Sequence, residues 1–267
     1  HKVVEKLVNY LPDYLEHTKE NNQQLQSEME RLSHSFLLPE PEINHIKDLK
    51  SELSAQEAVV HSSLEDTAEM KKPFSLVREE LEAIQDRLKE IEDEQIELGE
   101  QLEKIEKDDV NARQKVTIYA NKLHTIKRFM EKRNLPGIPE SFLTIFFGAS
   151  DYIEELAREL EATRVNIESV NRWLEILANT MNELEEETYR IVRNSTLTEQ
   201  LLQYSNRYRS FDDNVQAAFN ESLHAFEVEF DYAKSLEIIS KALDVVEPGV
   251  SARFINSYEK TRENIRF

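Results

Sequence analysis

The stretch "FSLVREELEAIQDRLKEIEDEQIELGEQLEKIEKDDV", Phe74 to Val110, decides the fold. Its apolar residues recur at alternating spacings of three and four, through Phe74, Val77, Leu81, Ile84, Leu88, Ile91, Leu98, Leu102 and Ile105. The same register runs on through Ala112, Val116, Tyr119, Leu123, Ile126 and Met130, and only Gln95 and Asp109 interrupt it. A 3.5-residue period is the seam of a helix packed lengthwise against other helices. The register passes Lys107-Asp108-Asp109 without a slip, so that cluster reads as a polar step inside one helix rather than a turn. At 1.5 Å per residue the helix is on the order of 90 Å long. An apolar seam of that length has to be covered by partner helices in water.

A second seam follows the first, through Ile153, Leu156, Leu160, Thr163, Ile167, Val170, Leu174, Leu177, Met181, Leu184, Thr188 and Ile191. It predicts one helix from about residue 140 to 194. Weaker patterns predict helices over 2–37, through Val4, Leu7, Leu11, Leu25, Met29, Leu32 and Phe36, and over 42–71, through Ile43, Ile46, Leu49, Leu53, Val60 and Leu64. Pro12 kinks the first of these or marks an early start. A further helix is expected over 197–246, followed by a tail over 250–267. Proline-bearing turns recur as "LLPEPE" at 37–42, "NLPGIPE" at 134–140 and "VEPG" at 246–249, at intervals of roughly 100 residues. The expected architecture is all-α, a tandem array of antiparallel helical bundles joined by long helices. One repeat covers 1–137, with helices near 2–37, 42–71 and 73–134, and a second covers 138–267.

Composition narrows the partners. With 53 acidic against 33 basic residues the formal net charge is −20, which argues against nucleic acid, because phosphate binding needs clustered Lys and Arg. A protein partner suits the chain better. The sequence has no Cys, so neither a disulfide framework nor a thiolate metal site is available, and a reducing compartment is the natural reading. No stretch approaches the roughly 20 apolar residues that span a bilayer. The first residue is His1 rather than Met, so the expectation is a fragment, with any membrane anchor upstream.

Motifs for chemistry are scarce. Two Glu-x-x-His pairs, Glu42/His45 and Glu221/His224, have the i, i+3 spacing of di-iron bundle ligands. Both histidines fall off the apolar seams, so they read as exposed helical residues. No phosphate loop, zinc spacing or nucleophile elbow is present, and no catalytic residue, metal or cofactor is expected. Arg113, Lys115, Lys122, Lys127, Arg128, Lys132 and Arg133 make the end of the long helix basic, which suits a helix C-terminus and leaves a partner site as the alternative. Leu143, Ile145 and Phe147 lie off the main seam; they are expected to fill the junction between bundles, the other reading being an exposed apolar patch.

One segment departs from the acidic background. "LLQYSNRYRSF", Leu201 to Phe211, has two arginines among tyrosines and amides, with no carboxylate between Glu199 and Asp212. On a continuous helix Tyr204, Tyr208 and Phe211 extend the inward stripe, and Gln203, Asn206, Arg207 and Ser210 share the outward face. Packing does not call for amides and a guanidinium there, and Asn is a mediocre helix former. The plain structural account is an exposed face whose Arg207 and Arg209 pair with nearby acids.

Taken together, "LTEQLLQYSNRYRS" (197–210), "NLPGIPESFL" (134–143) and "YAKSLEIISKALDVVEPG" (232–249) resemble the C-terminal half of EzrA, the septation ring formation regulator family of low-GC Gram-positive bacteria. The resemblance implies spectrin-like repeats in an elongated curved rod, on the cytoplasmic face of the cell membrane at the division septum, with a single N-terminal anchor. It implies a non-enzymatic scaffold that binds FtsZ, restrains assembly of its ring and links the ring to the membrane and to wall-synthesis machinery. The family's ring-function patch maps onto residues 203–209, so the partner-binding residues expected are Gln203, Asn206, Arg207, Arg209 and Ser210. The rival reading is a passive spacer or coiled-coil oligomerisation rod without a specific ligand.

Overall fold

The computed structural model describes residues 2–69 and 72–261. These form eight α-helices: α1 Lys2–Ser33, α2 Glu40–Ala68, α3 Phe74–Glu131, α4 Glu140–Leu160, α5 Ile167–Ser205, α6 Asp213–His224, α7 Tyr232–Val246 and α8 Val250–Thr261. A π-helical turn, Ala225–Glu229, joins α6 to α7. The fold class is all-α, as expected; the only extended pairing among the described residues is one parallel bridge between Phe36 and Val165. Expectations for residues 70, 71 and 262–267 lie outside the described residues.

The long helix is continuous. α3 has 58 residues and passes through Lys107, Asp108 and Asp109 without a break. Its seam is buried from Val77 through Leu102, and again at Ala112, Leu123, Ile126 and Met130. Gln95, the polar interruption, is buried with the rest, and its Nε2 donates to the Thr18 carbonyl of α1 at 2.9 Å. Thr18 and Asn22 are buried beside it, so a polar layer crosses this core. A layer of this kind sets register at some expense of stability.

By internal contacts the chain gathers into two compact units, His1–Arg113 with Arg158–Asn171, and Gln114–Ala157 with Arg172–Phe267. In the first, α1 and α3 run in the same direction. Tyr14 donates to Glu92 (2.6 Å), and Arg31 further along α1 donates to Glu106 further along α3 (2.8 Å). α2 runs against both: Lys19 meets Glu57, Arg87 meets Glu52 and His45 meets Glu94. The result is an up-down-up three-helix bundle. Prolines open the helices, since the carbonyls of Pro39, Pro73 and Pro139 accept the first turn's N–H from Ile43, Val77 and Leu143. A proline at a helix start gives up no bond, as its missing N–H has no intrahelical partner there. Pro12 lies inside α1 without ending it.

The helices depart from the sequence reading at five places. α1 ends at Ser33 rather than near 37, and Phe36 joins the bridge. α3 ends at Glu131 rather than near 134. The helix expected over 140–194 is broken at 161–166, where Val165 N–H donates to the Ser35 carbonyl (2.8 Å) and Leu37 N–H to the Val165 carbonyl (2.9 Å). Asn166 then caps α5, its Oδ1 accepting from Ser169 N–H at 3.1 Å. The apolar spacing bridges this break because the only seam position inside it, Thr163, is exposed. The helix expected over 197–246 is likewise interrupted, at 206–212 and at 225–231.

In the second unit α4 lies antiparallel to α5, with Ser141 donating to Glu187 (2.7 Å) and Tyr152 packed on Trp173. α5, α6, α7 and α8 enclose a core of Leu197, Leu201, Val215, Ile239, Leu243 and Val250.

Candidate functional site

The segment that stood out in the sequence forms the end of α5 and the turn after it. Leu201, Leu202 and Ser205 are buried, and the Ser205 hydroxyl donates back to the Leu202 carbonyl at 2.7 Å. The helix stops there. Tyr208 N–H and Arg209 N–H both donate to the Ser205 carbonyl, while Phe211 N–H and Asp212 N–H donate to the Tyr208 carbonyl. Asp212 then starts α6, its Oδ1 accepting from Asn214 N–H (2.9 Å) and Val215 N–H (3.0 Å). Asn206 is a poor helix former and Asp212 a strong N-cap, so the local sequence favours stopping and restarting.

The expected common helix face is therefore corrected to an exposed turn. Gln203, Asn206, Arg207 and Ser210 are exposed, but only Gln203 is still helical. Tyr204 and Tyr208 are half-buried against the core, whereas Phe211, assigned inward by the helical period, is 72% exposed. Once the helix ends, the period no longer applies. Among the described residues neither arginine pairs with a carboxylate, as the plain account requires. Arg207 lies over the Tyr204 ring, 4.5 Å from its centroid. Arg209 is half-buried, 3.5 Å over the Phe219 ring, and donates to Gln216 Oε1 (3.0 Å) and Asn206 Oδ1 (2.8 Å). Arg209 thus braces the turn from within, and Arg207 is the guanidinium presented outward on an aromatic face.

The turn is anchored by a residue that the sequence reading passed over. Glu247, in the "VEPG" turn after α7, accepts the phenol protons of Tyr204 (2.7 Å) and Tyr208 (2.5 Å) on one oxygen and pairs with Arg253 through the other. These donors, Tyr208 first, hold its carboxyl down at about 2 from an ordinary 4.5. The Glu247 acceptor pushes the Tyr208 phenol up to about 12 from an ordinary 10.0. The two signs bracket a pH window. The Glu247 contribution is present above pH 4.5 and fades as pH falls toward 2; that of Tyr208 is present below pH 10 and fades as pH rises through 12. Melting temperatures measured between pH 5 and 2 should accordingly fall less steeply for Glu247→Gln than for the wild type. Equal slopes would show that the carboxylate is not held this way.

The other candidates disperse. His45 pairs with Glu94 at 2.9 Å and His224 with Glu229 at 3.3 Å, so each Glu-x-x-His histidine has a neighbour other than its motif partner. In the basic cluster Arg113 bonds Asp109 and the Leu160 carbonyl, Lys122 pairs with Glu185, and Arg133 lies over Phe129, while Lys115, Arg128 and Lys132 are exposed. Leu143 and Phe147 are exposed, at 37% and 59%, whereas Ile145 is half-buried. No helix of the described residues is long and apolar enough to cross a membrane.

The family model described as "Septation ring formation regulator, EzrA" matches residues 1–258. The chain belongs to the EzrA family. Its relatives include septation ring formation regulators EzrA of Streptococcus sanguinis strain SK36, 75% identical over 267 residues, and of Streptococcus gordonii strain Challis, 66% identical over 266. The Streptococcus pneumoniae Hungary19A-6 protein is 56% identical over 266 residues. Each alignment covers 100% of this chain and 46% of the relative, so the chain spans about half the length of the EzrA proteins it matches. No solved structure matches it. The EzrA family is one of cell-division regulators.

Proposed function

We propose that this chain is a non-enzymatic scaffold segment that binds FtsZ and restrains assembly of its ring at the cytoplasmic face of the membrane, using the turn after α5. The support is membership of the septation-regulator family together with one observation: Gln203, Asn206, Arg207 and Ser210 are all exposed on a segment anchored from beneath. A short turn with an outward guanidinium and amides can form several hydrogen bonds to a partner while losing little conformational entropy. Arg209 serves the surface by holding Asn206 in place. The division of the chain into repeats at 1–137 and 138–267 belongs to the same reading, as does association with other division and wall-synthesis proteins.

Arg207→Glu tests it, because the side chain is exposed and its replacement leaves the core untouched. The melting temperature is expected to stay within a degree or two, surface changes being worth about ±0.5 kcal/mol. Binding to purified FtsZ should fall by roughly tenfold or more, as for a hot-spot arginine, and ring morphology in cells should change. Wild-type binding and normal rings in both Arg207→Glu and the Gln203→Ala, Asn206→Ala double variant would remove the turn from the mechanism.

A further inference from the structure

The turn that carries the proposed surface is reached from the far end of α7 by one carboxylate. Glu247 lies 39 residues beyond Tyr208 in sequence, yet a single oxygen of it accepts from both tyrosines that flank Ser205-Asn206-Arg207. Its own position is tightly set. The Glu247 N–H closes α7 on the Leu243 carbonyl at 2.8 Å, Val250 N–H donates to the Glu247 carbonyl at 3.2 Å, and Gly249 takes φ +82, a conformation that favours glycine. Arg253, one turn into α8, holds the other carboxylate oxygen. The rings extend the linkage outward: Tyr204 packs edge-on against Phe254 (5.3 Å) and supports Arg207 on its face, and Tyr208 meets the exposed Phe211 edge-on at 5.8 Å.

We infer that Glu247 is the positioning residue of the binding turn: through the two phenols it sets where Arg207 and Phe211 are presented, without itself being the group a partner reads. Nothing in the local sequence 203–211 encodes this constraint. The turn's own hydrogen bonds are short-range, and its outer residues, Arg207, Ser210 and Phe211, are exposed. Without the carboxylate the two phenols lose their common acceptor, and the rings beneath Arg207 and Phe211 are free to take other rotamers. A partner would then meet a mixture of turn conformations, and affinity falls by the fraction that is competent. The inference rests on the reading of this turn as the partner surface.

The experiment compares wild type, Glu247→Ala, Tyr204→Phe with Tyr208→Phe, and the triple variant, each checked for unchanged helicity by far-UV circular dichroism. Amide hydrogen exchange over 206–212 is measured alongside binding to purified FtsZ. In Glu247→Ala, exchange at these amides should rise about tenfold and binding should weaken several-fold. In the Phe/Phe background Glu247→Ala should add nothing further, because the carboxylate acts through the phenols. A ¹³C-tyrosine spectrum supplies a signature that general destabilisation does not: the Tyr208 phenol should titrate near pH 12 in the wild type and nearer 10 in Glu247→Ala. Unchanged exchange in Glu247→Ala overturns the inference, as does a binding loss that persists in full in the Phe/Phe background. If exchange rises but neither Glu247→Ala nor Arg207→Glu alters FtsZ binding, the partner reading of the turn is what has failed, and a positioning role toward that partner falls with it.

Discussion

Leu88→Ala is expected to destabilise the first unit by about 2–5 kcal/mol, the range for emptying a leucine site in a close-packed core. Leu88 is fully buried in the α3 seam, between Arg87, which reaches Glu52 on α2, and Glu92, which receives Tyr14 of α1. Truncation there removes dispersion contacts to two helices at once, and a three-helix layer has little freedom to collapse around the void. Ile96→Ala is the matched control. Ile96 lies eight residues further along the same helix, 57% exposed, so its loss should change stability by no more than about 0.5 kcal/mol. Urea unfolding followed by far-UV ellipticity separates the two variants. Similar midpoints would show that the seam is misplaced around α3, and with it the bundle.

The second large effect is expected at Gly137, in the "NLPGIPE" turn. A Cβ placed there would lie 2.5 Å from two ring atoms of Phe230 and 2.6 Å from a third, well inside any normal contact. Gly137 does not use the left-handed conformation that glycine favours, so alanine is compatible with the backbone and the cost is purely steric. The ring cannot easily retreat. Phe230 itself takes a left-handed φ of 56, and it sits between the π-helical turn and Asp231, the cap of α7. The turn is also tied down by Tyr232, whose phenol donates to the Gly137 carbonyl at 2.6 Å and whose ring packs edge-on against Phe226. Gly137→Ala should therefore cost about 1–3 kcal/mol, the usual range for overpacking. In a Phe230→Ala background the same change should cost much less, because the atoms it meets are gone. A double-mutant cycle by chemical denaturation measures the difference, and additive effects would mean that the contact does not form.

These two sites mark how far the residues could be read in one dimension. The α3 seam was legible from Val77 to Leu102, Gln95 included, because burial along a helix packed lengthwise repeats every 3.5 residues; Phe74, which the period also included, is 41% exposed. The contact between Gly137 and Phe230 was not, since it joins positions 93 residues apart through a left-handed phenylalanine and a π-helical turn, neither of which has a periodic signature. The break at 161–166 was masked for a related reason: the apolar spacing continues across it, and the partner that makes it a break, the 35–37 segment, lies far away in sequence. Asn166 ahead of Ile167 was the one local cue.

The candidate site divides along the same line. Its composition, a carboxylate-free island with two arginines and several amides, was visible at once, and so was the buried role of Leu201. The helical period misplaced Phe211 and grouped Asn206, Arg207 and Ser210 on a face that does not exist, because it assumed the helix went on past Ser205. It left Arg209 in neither set; the structure stacks its guanidinium on Phe219.

Local chemistry and periodicity, then, settled what each helix buries and which segment is chemically unlike the rest, since both follow from residue type and spacing along one chain direction. That the helical pattern breaks at 161–166 and that Glu247 holds the turn after α5 from the opposite end of α7 were decided in three dimensions. Those features depend on hydrogen bonds between residues about 40 to 130 positions apart, and no spacing rule along the chain encodes such pairings.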